Sequence, residues 1–210
     1  MNKPFSFLSL FFCAIIFSVG TASAQPVAID MGLSVKWGSC NLGASGPYQV
    51  GNYYSWGETY TRSSYSWEGY RFAETTGPSV TKYNNIDGRR RLLREDDAAC
   101  QVLGNGWRIP TAAEWKELLD YDNCKWEWID NGDLKGYRVT SKKTGNSIFL
   151  IAKGFKYYSE DRAWSAGYYH SSELSEGYPF NTRILWFNEK YRTVDSGERY
   201  VGYLIRPVKY

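Results

Sequence analysis

The chain has 210 residues, with 25 basic and 22 acidic side chains and a formal charge of +3. A bias that weak, with the two signs interspersed, gives no footing to a nucleic-acid partner. The unusual quantity is aromatic: 9 Trp, 18 Tyr and 10 Phe, the tyrosines scattered through polar stretches, which suits irregular cores and binding surfaces because each ring joins an apolar face to a polar handle.

Lys3, the apolar run Phe5 to Val19 and the small residues Ala22-Ser23-Ala24 make residues 1–24 a cleavable secretory signal. The run falls short of the roughly 20 residues a membrane span requires. Cys13, preceded by Phe11 and Phe12, lacks the small neighbours of a lipid-acceptor cysteine. The expected mature chain is one exported domain, residues 25–210, free in the periplasm, at the cell surface or secreted, with no later segment able to cross a membrane. It keeps Cys40, Cys100 and Cys124, an odd number that allows at most one internal pair. With no Cys-x-x-Cys and the single histidine His170, a zinc site of the usual ligand set is excluded. No metal or cofactor is expected.

Along the chain, Leu33, Val35 and Trp37 alternate with Ser34 and Lys36 as in a half-buried strand. Gly51 to Glu58 follows, and then a Ser/Thr/Tyr/Gly-rich stretch to Asn85 that reads as loop. Arg89-Arg90-Arg91 and Arg94 read as a solvated face neutralised by Glu95, Asp96 and Asp97, with an anion patch as the sharper alternative. Asp96 and Asp97 stand where a helix start favours negative charge, Ala98 to Leu103 continues as a short helix, and Gly104 ends it. Trp107-Arg108-Ile109-Pro110-Thr111 comes next. Pro110 biases Ile109 to extended geometry, and Thr111 with Glu114 spells a capping box opening a second helix that buries Trp115, Leu118 and Leu119. Arg108, between Trp107 and Ile109, is expected to be half-buried against an acid or carbonyls. Trp126 and Trp128 alternate with charges as a strand would. Tyr137 to Ser141 and Ser147 to Ile151 form a hairpin, the second arm expected at the centre of its sheet. From Gly154 to Gly202 the sequence reads as irregular aromatic loops with a short strand at Arg183 to Phe187, and Tyr203 to Val208 ends the fold as a strand.

Gly32-Leu33-Ser34-Val35-Lys36-Trp37, Cys40-Asn41-Leu42-Gly43-Ala44, Tyr54-Ser55-Trp56-Gly57-Glu58, Glu95-Asp96-Asp97-Ala98-Ala99, Trp107-Arg108-Ile109-Pro110-Thr111, Cys124-Lys125-Trp126 and Arg206-Pro207-Val208 together resemble the Fibrobacter succinogenes major paralogous domain, abundant in exported proteins of Bacteroidetes. The Arg-Ile-Pro-Thr-x-x-Glu-Trp core is also similar to the formylglycine-generating sulfatase-modifying superfamily. Both resemblances imply a C-type-lectin-like α+β fold: two short helices, small twisted antiparallel sheets, long irregular aromatic-rich loops, and N- and C-terminal strands brought together. Cys40 and Cys124 stand in family-like motifs and read as a disulfide or as two buried thiols. The chain departs from the family at His170, where members often carry Trp, and at Ile151-Ala152-Lys153-Gly154.

The resemblance implies no catalysis of the formylglycine-generating type, since no cysteine follows Cys124. His170-Ser171-Ser172-Glu173 lacks the spacing of an oriented triad. The calcium signatures of sugar-binding lectins are missing. The leading expectation is a non-catalytic exported module that binds a glycan or a protein at the cell envelope. Its candidate contacts are Trp164, Tyr168, Tyr169, His170, Trp186, Asn188, Tyr191, Arg192, Arg199 and Tyr200, with Trp107, Arg108, Pro110, Thr111, Glu114 and Trp115 as structural residues. The alternatives are a degenerate enzyme on the sulfatase-modifying scaffold and a structural subunit of the envelope.

Overall fold

A computed structural model describes residues 25–75 and 79–210; the expected signal, residues 1–24, lies outside them. The described chain is mixed α and β, mostly small antiparallel sheets with two α-helices. In order it runs β1 (Ala28–Ile29), β2 (Lys36–Gly38), α1 (Ala98–Leu103), α2 (Ala112–Leu119), β3 (Cys124–Asp130), β4 (Lys135–Ser141), β5 (Ser147–Ile151), β6 (Phe155–Tyr157), β7 (Glu160–Arg162), β8 (Gly167–Ser175), β9 (Tyr178–Phe187), β10 (Arg192–Glu198) and β11 (Val208–Lys209). The sheets have the orders β1-β2-β11, β3-β4-β5, β6-β7 and β8-β9-β10. Val208 faces Trp37 across β2 and β11, so the two ends of the described chain meet in one sheet.

The helical block forms as its sequence dictates. Asp97 caps α1 by accepting from the Cys100 N–H, and a second oxygen takes the Ile109 N–H. Gly104, Asn105 and Gly106 all sit at positive φ, 60°, 47° and 81°, which turns the chain sharply between the helices. Thr111 accepts from the Glu114 N–H while the Glu114 carboxylate accepts from the Thr111 N–H, the capping box in full. That carboxylate also receives a two-toothed bond from the Arg108 guanidinium, so one acid both caps the helix and neutralises the half-buried arginine. Burial pushes the Glu114 carboxyl up, but Arg108 and the Thr111 N–H outweigh it and hold the group below its ordinary range. Arg108 also pairs through its backbone with Val208, the strand-like approach that Pro110 predicts.

The main core lies between α2 and the inner faces of the sheets. Trp115 and Leu118 are fully buried there with Trp37, Val139, Leu150, Tyr169, Leu185, Phe187 and Leu204, and the Trp37 and Trp115 rings stand 4.6 Å apart. Two buried tryptophan N–H groups find carbonyls, Trp115 donating to His170 and Trp56 to Ser171, whereas the Trp37 N–H is buried without a partner. Arg206 is fully buried without a carboxylate. Its guanidinium donates to the Asn41 side chain and to the Gly38 and Phe149 carbonyls, tying the first strands to β5. Loss of water at that position lowers its proton affinity.

Three expectations are corrected and a fourth is decided between its two alternatives. The strand around Leu33 to Trp37 shrinks to Lys36–Gly38. Ser147 to Ile151 is the outer strand of its sheet, and β4 is the central one. The stretch Gly154 to Gly202 is largely sheet: β8, β9 and β10 pair over most of their length, and the register shift between His170 and Leu174 hides the period-two pattern from β8. Of the disulfide and the two buried thiols read for Cys40 and Cys124, the buried thiols are found, and Cys100 is free as well. Cys124 belongs to the main core, whereas Cys40 lies outside it with its thiol turned to the Ala44 carbonyl. Burial raises the Cys124 and Cys100 thiols to about 11, so both are protonated and unreactive at neutral pH.

Candidate functional site

The residues expected to touch a ligand are not gathered into one surface. Tyr169, His170 and Arg199 are fully buried, which corrects their assignment as ligand contacts. Tyr169 points to the inner face of its sheet and donates to the Ile151 carbonyl. His170 points the other way, against the Tyr203 ring, with Nε2 2.8 Å from the Tyr54 carbonyl. A carbonyl only accepts, so Nε2 carries the proton. Nδ1 is then a bare, buried lone pair without a partner. Burial drives the imidazole down to about 4, against the weaker opposing pull of the Tyr54 carbonyl, and His170 is neutral at pH 7.

The others are scattered. Tyr168 and Trp186 are cross-strand neighbours, half-buried under Phe155 and Tyr203. Asn188 closes the β9 to β10 turn by accepting the Lys190 and Tyr191 N–H groups, leaving Tyr191 exposed. Arg192 lies over the Trp126 and Tyr137 rings. Trp164 is exposed, with the Lys153 ammonium 5.2 Å from its ring centre.

Asn188 and Trp164 line separate small pockets of about 280 and 190 Å³, whereas Tyr200 enters a cleft of about 260 Å³ where three aromatic side chains meet, lined by Trp67, Phe180, Asn181, Glu198 and Tyr200. Trp67 stands 5.7 Å from Phe180 and 5.9 Å from Tyr200, centre to centre, the latter edge-on. The rings arrive from distant parts of the chain. Phe180 and Asn181 lie near the start of β9, Glu198 ends β10 directly opposite Asn181, and Tyr200 follows two residues later. Trp67 opens a single 3-10 turn in the stretch read as loop. That stretch is fastened by reciprocal backbone bonds between Tyr65 and Tyr158 and by the Tyr65 hydroxyl on the Tyr53 carbonyl.

Arg199 explains why Glu198 and Tyr200 face outward. Its side chain turns inward between them, with Trp56, Tyr70, Phe72 and Tyr83 around the guanidinium at 4.9 to 5.9 Å. Its N–H groups reach the Tyr70 hydroxyl and the Lys82, Tyr83 and Pro179 carbonyls. Gly197 is needed one step earlier, because a Cβ there would lie 2.8 Å from both Ile184 and the Tyr203 hydroxyl. Burial first, and the neighbouring Glu198 carboxylate second, hold the Tyr200 hydroxyl in its protonated form. Sequence reading missed Trp67, Phe180, Asn181 and Glu198. Their meeting depends on strand register and on a long loop, and the one local hint was a tryptophan at position 67 in a stretch otherwise rich in Ser, Thr, Tyr and Gly.

A larger groove of about 1000 Å³ adjoins the cleft and shares Asn181 with it. It runs between the start of α2, the Arg90 and Arg91 segment, and the hairpin of β8 and β9. Ser175, Asn181 and Ser196 are joined there by hydrogen bonds of 2.9 and 3.0 Å. Backbone bonds from Leu92 to Ser172 and from Leu174 to Arg90 fix the arginine segment along the outer edge of β8. Among the described residues no group of three or more His, Cys, Asp or Glu side chains is placed to hold a metal ion, and no helix is long and apolar enough to cross a membrane. No protein-family model, curated protein or solved structure matches the chain.

Proposed function

We propose that the protein is an exported, non-catalytic binding module that holds a saccharide in the cleft formed by Trp67, Phe180 and Tyr200. The observation that carries this reading is the meeting of three aromatic side chains with an amide and a carboxylate at one concave place. A sugar ring has an apolar face of C–H groups and a rim of hydroxyls; the first packs on aromatic faces and the second bonds to groups such as Asn181, Glu198 and the Tyr200 hydroxyl. The resemblance to the Fibrobacter succinogenes major paralogous domain, with its lectin-like fold, belongs to the same proposal, as does export by the leader of residues 1–24.

The non-catalytic part rests on where the reactive residues lie. His170 is enclosed between Tyr54 and Tyr203 and is neutral, and the Cys100 and Cys124 thiols are protonated. The test is a glycan array read with the purified protein beside a panel of envelope proteins. Saccharide binding is expected, and Trp67→Ala should weaken it by about tenfold or more through loss of a stacking face. Undiminished saccharide binding by Trp67→Ala and Tyr200→Ala would remove the cleft as the site, and binding to proteins alone would replace the ligand class.

A further inference from the structure

The groove beside the aromatic cleft carries an excess of positive charge that the fold leaves unneutralised. Arg90, Arg91, Lys116 and Arg183 line it. None of the four makes an ion pair among the described residues, although Arg89 next door pairs with Asp87. The expectation that neighbouring acids neutralise this arginine run is therefore overturned at its centre. Asp96 is committed elsewhere: it is fully buried, with Lys82 and Arg71 as its ion-pair partners and the Tyr83 hydroxyl donating to it. Asp97 is the cap of α1.

The groove holds two carboxylates, Glu173 and Glu176. Glu173 is turned to the Ala112 N–H at the start of α2, 3.0 Å away, and so is occupied by the helix rather than by an arginine. Glu176 is exposed in the turn between β8 and β9. Lys116, Arg90 and Arg91 project from exposed positions, while Arg183 is half-buried with one N–H on the Val194 carbonyl. Cations set around the serine and amide groups of Ser175, Asn181 and Ser196 suit a ligand bearing both hydroxyls and anionic groups. A groove of this size is at the upper end of the roughly 300–1,000 Å³ found for small-molecule sites, enough for more than one sugar unit.

We infer that the saccharide bound by this protein is anionic, a uronate or sulfated oligosaccharide, with its charged units in the Arg90, Arg91, Lys116 and Arg183 groove and a less polar unit in the aromatic cleft. The inference rests on the saccharide reading above. Asn181 lines both surfaces, so one extended chain crosses from one to the other without leaving the protein. Carboxylates and sulfates accept planar, two-toothed bonds from guanidinium groups, which gives arginine its advantage for such ligands. The formal charge of only +3 over the whole chain argues against a polynucleotide, whose phosphates demand a longer basic track.

Isothermal titration of the purified protein with oligogalacturonate, with its fully methyl-esterified counterpart, and with a heparin-derived oligosaccharide tests this directly, short single-stranded DNA serving as the polyanion control. The ester keeps the sugar backbone and removes the charge. At least one of the two anionic oligomers is expected to bind about tenfold or more tighter than the ester, with affinity falling as salt rises. The exposed double variant Arg90→Glu/Arg91→Glu should abolish that advantage, and Trp67→Ala should weaken charged and uncharged forms alike. Equal affinity for acid and ester, with the heparin oligosaccharide no tighter, overturns the inference and leaves the aromatic-cleft reading standing. So does binding of neutral glycans on the array with neither anionic oligomer bound, or an anionic preference that survives in the double variant. DNA binding equal to that of the anionic saccharides also overturns it, and no binding of any saccharide overturns both readings.

Discussion

The helical block and the aromatic lobe each bury an arginine, and they do so by opposite means. Arg108 finds its counter-charge six residues away in Glu114, which also completes the capping box with Thr111 at the start of α2. Arg199 has no carboxylate. Four aromatic rings surround its guanidinium, and its N–H groups end on carbonyls and a hydroxyl contributed by residues 20 to 129 positions away. The first arrangement is assembled by neighbours in sequence and the second only by the finished fold. Local pairing makes a robust hinge, whereas long-range pairing makes the lobe that presents Trp67, Phe180 and Tyr200 depend on everything around it.

Arg199→Leu gives the largest effect that bears on this contrast. It strands the Lys82, Tyr83 and Pro179 carbonyls together and removes the donor to the Tyr70 hydroxyl, which keeps its own bond to the Trp56 carbonyl, and a loss of about 3–5 kcal/mol in urea unfolding is expected. Arg199→Lys should recover less than half, because an ammonium cannot span the same fork. Full recovery by lysine would show that charge alone, rather than the planar network, holds the lobe. In the helical block, Glu114→Ala is expected to cost about 2 kcal/mol, combining a lost cap with a stranded arginine. Arg108→Ala should then add little, since the two residues act as one unit. Additive losses would mean that cap and ion pair are separate devices.

The two regions also separate along the pH axis. His170 has its folded value lowered to about 4 from an ordinary 6.5, so its contribution is complete above about pH 6.5 and is lost as pH falls towards 4, when only the unfolded chain takes up the proton. Glu114 has a lowered carboxyl, so its contribution persists until pH drops below the ordinary value of about 4.3. Urea midpoints for wild type and His170→Gln should therefore converge as pH falls from 6.5 to 4, the slope difference approaching one proton. Parallel lines across that window would show the imidazole to be protonated or solvated in the native state. The smallest effect concerns the thiols. Cys40, Cys100 and Cys124 should all react with a thiol reagent once the chain is unfolded, and a reductant should leave the melting temperature unchanged. A single reacting thiol would reveal a pair formed between the other two.

How much of this was legible in the sequence follows the same division. The turn at Gly104 to Gly106, the cap at Thr111, the burial of Trp115 and the pairing of Arg108 are written within a few residues of one another, and all could be read. The hairpin of β4 and β5 was readable as well, because its turn and its alternation are local. The sheet of β8, β9 and β10 was not. Its strands carry tyrosine and serine on both faces, since the second face packs under Tyr203 and Phe155 instead of meeting water, and so they lack a clean two-residue period. Arg199 was misread for the related reason that a charged residue among aromatics looks the same in sequence whether it faces a ligand or anchors a core.

The latch at Arg206 has a consequence for how the chain comes to be folded. Its guanidinium reaches Gly38, 168 positions earlier, and Val208 pairs with Trp37 in the first multistranded sheet. Neither closure can form while the ribosome still holds the last strand. The two closures therefore wait for residues 206 to 208 to become available, and contacts of such sequence separation form slowly.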